Sequence, residues 1–176
     1  MKHFLIVVDM QKDFVDGSLG TKEAQAIVPA AVRVIEAFEG DIFATYDTHF
    51  PNYLLTAEGK NLPVKHCIKG TPGWGLDEQI GAALEKKGFL PVEKGTFGSA
   101  ALPELIKYAA AREPFDIMLI GLCTDICVVS NALLLKAHFP ECDISVDAAC
   151  CAGVSPATHK AALDVMRCCQ IRVING

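Results

Sequence analysis

The chain has 176 residues, 51% of them hydrophobic and 21% charged, with a net charge of −5 at pH 7. That is enough apolar material for one domain with a substantial core, residues 1–176, and it excludes a disordered chain. Basic residues are mixed with acidic ones and no apolar run approaches the ~20 residues of a membrane span, so neither nucleic acid nor a membrane is expected as a partner.

The first apolar run, FLIVVD (4–9), follows one lysine and superficially suggests a signal peptide. It is too short, and Asp9 stands where a small-residue cleavage site would be needed. It reads as a first strand, and the cytoplasm is the expected location. Residues 24–39 then space their apolar side chains at the helical period. DIFATYD (41–47) reads as a second strand, 76–88 as a helix, and GFLPVEK (88–94) as a third strand. Residues 102–112 form a helical pattern, FDIMLIG (115–121) a strand, and 124–139 a helix with a capping oxygen offered at Thr124-Asp125. DISVDAA (143–149), a helix over 155–169 opened by Ser155-Pro156, and IRVI (171–174) complete the chain. Six apolar strands alternating with five amphipathic helices imply an α/β fold. The expected form is a single three-layer α/β/α domain, with helices on both faces of a six-stranded, mostly parallel sheet. The helix within VVSNALLLKAHF (128–139) is apolar enough to bury a face in a homo-oligomer, although core burial accounts for it equally well.

In open sheets of this kind ligands bind beyond the carboxyl ends of the strands. Asp9, Asp47, Lys94 and the stretch Gly121–Cys127 all fall at such ends. A cysteine in the first turn of a helix gains from the dipole, which makes Cys127 a candidate nucleophile and leaves Cys123, in the turn before it, less favoured. A carboxylate beside a thiol can take its proton, and an ammonium beside both stabilises the thiolate. Each residue also has an ordinary reading: Cys127 as a core residue with Asn131 and Leu135, Asp9 as a turn cap, Lys94 as a solvated lysine. The other cysteines among the eight in the chain are expected to be reduced, small, buried residues. The one long irregular segment, 45–75, carries Asp47, His49, Glu58 and His66, a carboxylate and imidazole set that suits zinc, iron or manganese. A non-catalytic binding or redox protein rich in cysteine remains an alternative on these residues.

DMQKDF with Asp9, DTH with Asp47 and His49, HCIKGTPGW from His66, EKGTFGS with Lys94 and GLCTDICV with Cys127 together resemble the isochorismatase-like cysteine hydrolases, the nicotinamidases most of all. DAACCAGVSPATHKAAL (147–163) resembles the last strand-to-helix turn of that family. The resemblance implies that Asp9 is the general base, Lys94 the charge stabiliser and Cys127 the nucleophile. It implies a cis peptide before Cys123 and an oxyanion hole made of the backbone N–H groups of Cys123 and Cys127. Asp47, His49, Glu58 and His66 match the ligand set of a divalent, zinc-type ion. Isochorismatases proper lack that set, so a small amide such as nicotinamide is the expected substrate, cleaved through a thioester. Another small amide, a ureide, a carbamoyl compound or an enol ether is the alternative. The chain departs from the pattern at Pro63, where the family often has an aromatic ring; Phe14, Tyr53 and Trp74 are the rings expected to face the substrate.

Overall fold

Strict alternation along β1 (Lys2–Val8) sends Phe4, Ile6 and Val8 to one side and Leu5 and Val7 to the other, and all five are fully buried. A strand buried on both faces needs cover on both. The computed structural model, which describes residues 1–176, supplies it with helices above and below one six-stranded sheet. α2 (Lys22–Ala37) and α4 (Glu78–Lys87) pack on Leu5 and Val7. α5 (Leu102–Ala110), α6 (Val129–His138) and α7 (Pro156–Cys168) pack on Phe4, Ile6 and Val8. Two shorter helices precede α2 and α4 respectively: α1 (Lys12–Val15) and α3 (Ala57–Asn61).

The remaining strands are β2 (Asp41–Asp47), β3 (Leu90–Lys94), β4 (Phe115–Leu122), β5 (Asp143–Ala152) and β6 (Arg172–Ile174). Their spatial order is β3-β2-β1-β4-β5-β6, and every pairing is parallel. The order reverses between β1 and β4. Crossovers on either side of that point leave the sheet in opposite directions, so a crevice opens beyond the ends of these two strands. No helix is long and apolar enough to cross a membrane.

Two expectations are corrected. The helix expected from residue 124 begins as a π-helical turn, Thr124–Val128, and becomes α-helical only at Val129; no side chain caps it. Thr124 instead pairs its hydroxyl with His159 Nδ1 at 2.8 Å, and the Asp125 carboxylate accepts the Val154 N–H. The cysteines are all free, but Cys168 and Cys169 are exposed where α7 gives way to the turn before β6. Ser155, by contrast, caps α7 as its spacing with Pro156 predicts, in a reciprocal box with Thr158.

Candidate active site

Asp9 follows directly on β1, in a left-handed conformation (φ 47°), and is wholly buried. Thr45, on β2 alongside, donates its hydroxyl to Asp9 Oδ1 at 2.6 Å. The other oxygen lies 2.7 Å from Lys94 Nζ, which comes from the last residue of β3. That ammonium is also 3.5 Å from Cys127 Sγ and 3.3 Å from Asp47 Oδ1, and it donates to the Thr96 carbonyl at 3.0 Å. Three strand ends and the turn after β4 thus bring Asp9, Lys94, Asp47 and Cys127 into one buried group. The Leu122–Cys123 peptide is cis.

Burial would strip Lys94 of its proton, but the carboxylates of Asp9 and Asp47 and the Cys127 sulfur outweigh it and hold the pKa above its usual value. Burial dominates at Asp9 and raises its pKa, with Lys94 opposing. Cys127 is also pushed well up, by burial first and by the negative charge of Asp9 next, again against Lys94. The turn after β4 therefore does not lower the Cys127 pKa, as its place near a helix start suggests it should. Burial thus favours the protonated thiol at Cys127, while Lys94 opposes it at both Cys127 and Asp9.

Next to this group the four expected ligand residues meet. One donor atom from each of Asp47, His49, Glu58 and His66 lies within 4.8 Å of the others. His49 Nε2 is 2.9 Å from Asp47 Oδ2 and 3.4 Å from Glu58 Oε1; His66 Nε2 is 3.5 Å and 3.6 Å from the same two atoms. Local structure accounts for each position. His49 forms a bridge with Ile68, its N–H donating to the Cys67 carbonyl. Thr56 caps α3 and so sets Glu58 in its first turn. His66 Nδ1 pairs with the Val64 carbonyl at 2.9 Å, which leaves Nε2 as the nitrogen available to a ligand. His49 Nε2 is buried without a hydrogen-bond partner, aimed at two carboxylates. Two imidazoles and two carboxylates converging this way fit a divalent cation. Asp47 joins the two groups, with Oδ1 on Lys94 and Oδ2 on the imidazoles. Despite burial, the two imidazoles close to it and the Lys94 charge hold its carboxyl below the usual range.

A cavity of about 230 Å³ opens onto both groups. Asp47, Glu58 and His66 lie at one part of its wall, Cys123 and Cys127 at another. Phe14 lines it as expected, packed on the His66 ring with centroids 5.4 Å apart. Tyr53 and Trp74 do not. Tyr53 is wholly buried behind the two imidazoles, its hydroxyl donating to the Leu62 carbonyl. Trp74 packs at a tilt against Tyr46 and donates its indole N–H to the Thr48 hydroxyl. Pro63 is exposed and outside the cavity. Leu62, Phe97, Ile126 and Val154 also line it, and sequence reasoning missed all four. The GTFG loop after Lys94 carried the only signal, an aromatic residue between glycines next to a catalytic candidate.

The isochorismatase domain model matches residues 3–175. A nicotinamidase/pyrazinamidase from Mycobacterium tuberculosis is 26% identical over 182 residues, covering 97% of this chain and 97% of that protein. The crystal structure of a nicotinamidase/pyrazinamidase from Bacillus subtilis is similar at a TM-score of 0.86 and 27% identity, over 98% of this chain and 99% of that one. The N-carbamoylsarcosine amidase of Thermoplasma acidophilum matches over 100% of both chains, with a TM-score of 0.78 and 28% identity.

Proposed function

The chain belongs to the isochorismatase family, and from that premise we propose that it hydrolyses the amide C–N bond of a small aromatic amide, nicotinamide foremost, through a thioester on Cys127. One observation carries the reading: Lys94 Nζ stands 2.7 Å from Asp9 and 3.5 Å from Cys127 Sγ, beside a small cavity that Cys127 lines.

Asp9 takes the thiol proton as Cys127 Sγ attacks the amide carbonyl carbon and the C–S bond forms. Its raised pKa makes it a stronger base than an exposed aspartate. Lys94 offsets the negative charge passing between the two. The backbone N–H groups of Cys123 and Cys127 receive the oxyanion. Collapse of the tetrahedral intermediate breaks the C–N bond, and Asp9 returns the proton to the departing nitrogen, releasing ammonia. Water then attacks the thioester with Asp9 again as base; the C–S bond breaks, the acid leaves and the thiol is restored. Asp47, His49, Glu58 and His66 would hold a divalent ion, zinc by its donor set, with iron or manganese suited to the same atoms. Bound there, the ion supplies a Lewis acid for a ring nitrogen. The residues around it orient the ring so that the amide reaches Cys127.

The test is ammonia release from nicotinamide by the zinc-loaded protein, with Cys127→Ala alongside. Turnover lost in the variant supports the mechanism; ordinary turnover without the thiol would end it. A carbamoyl compound is the second reading, supported by the likeness to the Thermoplasma amidase and by the position of Pro63 outside the cavity. Ammonia from N-carbamoylsarcosine but not from nicotinamide would select it.

A further inference from the structure

The four candidate ligand residues stand between two spaces. The closed cavity meets Asp47, Glu58 and His66 but not His49. On the other side runs an open groove of about 830 Å³, which meets His49 and Glu58 but neither Asp47 nor His66. Glu58 alone of the four lines both. Its side chain is 20% exposed, against 7% for His49, 5% for Asp47 and 2% for His66. The backbone beneath it is fixed: Thr56 caps α3, and Gly59 lies so close to the Tyr53 carbonyl that a Cβ would have no room. The Glu58 carboxylate can therefore swing about its own side-chain bonds while the helix stays in place. The imidazoles have no such freedom, since His66 is tied through Nδ1 to Val64 and His49 is packed on the rings of Tyr53 and His66.

The two spaces also differ in chemistry. The cavity is walled mostly by apolar side chains, among them Phe14, Leu19, Leu122 and Val154. A hydrated divalent ion passing that way would lose water to a wall that returns no ligand. The groove is mostly polar: Thr56, Asn61, Thr96, Asp125 and Ser130 stand along it with Glu58, and it has no lysine or arginine. Two carboxylates in a groove without a basic residue draw cations in. Resting on the divalent-ion part of the amidase reading, we propose that the ion site has two doors. Substrate meets it from the cavity, while the ion itself is taken up and lost through the groove, past a swinging Glu58. Metal exchange is then independent of what the cavity holds.

The test loads the protein with zinc, adds excess EDTA and follows the zinc-bound fraction by native mass spectrometry, with and without saturating nicotinate. Zinc loss is expected at the same rate in both. Ala57→Trp, which crowds the groove from α3, should slow it about 10-fold, the effect of an overpacked side chain on a barrier. Val154→Trp, which crowds the cavity and not the groove, should leave zinc loss at the parent rate while raising the KM for nicotinamide. Should Ala57→Trp fail to fold, Asn61→Trp crowds the same groove. Zinc held back by nicotinate, or slowed by Val154→Trp and not by Ala57→Trp, places the exit in the cavity and overturns the proposal. So does zinc loss no faster than unfolding, read by circular dichroism in the same solution. A protein that neither binds nicotinate nor cleaves nicotinamide, yet loses zinc more slowly with Ala57→Trp, fails the amidase reading and leaves the two doors standing. A protein that takes up no zinc, iron or manganese overturns the proposal and leaves the chemistry of Cys127 to the ammonia assay.

Discussion

Asp9 and Cys127 sit in a setting that raises the pKa of both, burial being the largest cause in each and Lys94 opposing it. Only the ionised form of Asp9 can accept the thiol proton. Activity should therefore fall as pH drops through the Asp9 pKa, and the acid limb of the kcat/KM profile should lie above the ordinary carboxylate value of 3.8. Asp9→Asn, which keeps shape and loses the base, should lower kcat by about 10²- to 10⁴-fold while nicotinamide still binds; ammonia assays and calorimetry separate the two effects. That Asp9, Lys94, Cys127 and the four candidate ligand residues converge was legible because each is a polar or thiol side chain interrupting an apolar strand end or a long loop. Phe97, Val154 and Asn131 were not. Phe97 and Val154 look like ordinary apolar loop residues, and Asn131 occupies a helix position where nothing local reveals that its partners lie 34 and 4 residues back along the chain.

At the level of elements, the turn after β4 is held from outside. Thr124 binds His159 on α7, and Asp125 accepts the N–H of Val154, so the loop and helix following β5 fix the segment that bears Cys127. Asp125→Ala should reduce kcat by about 10-fold or more with a smaller change in KM, since the thiol and the neighbouring N–H groups lose their support rather than the cavity its walls. Gly121 in β4 has φ 121°, and a Cβ there would sit 2.1 Å from the Val8 carbonyl oxygen of β1. Gly121→Ala should destabilise the fold by about 3 kcal/mol, measurable as a lowered denaturation midpoint. The strands and most helices emerge from hydrophobic period alone, and Pro156 after Ser155 marked the start of α7. The start at 124 was misplaced because Thr124 and Asp125 have the chemistry of caps, yet their hydrogen bonds are spent on residues some 30 positions downstream.

Across the whole molecule, alternating strands and helices implied the parallel layered sheet, and the structure adds its order, with the reversal between β1 and β4. Strand order was beyond reach because six similar apolar strands carry no pairing code in their periodicity. The four candidate ligand residues span the sheet and the loop before β3: Asp47 ends β2, while His49, Glu58 and His66 belong to the segment folded over it. A bound ion should consequently stabilise the whole fold. Zinc at about 100 times its Kd should raise Tm by roughly 5–10 °C over the chelated protein, and His49→Ala should abolish most of that shift in a thermal scan.

Asp47 divides its two oxygens between neighbours of different kinds, Oδ1 facing the ammonium of Lys94 and Oδ2 the two imidazoles. An ion held at Oδ2 would draw electron density from the carboxylate, weaken the hold of Oδ1 on Lys94 and leave more of that positive charge for sulfur. The choice of metal would then set nucleophile strength as well as substrate grip. Replacing one divalent ion with a weaker Lewis acid at the same donors would slow alkylation of Cys127 even with no substrate present.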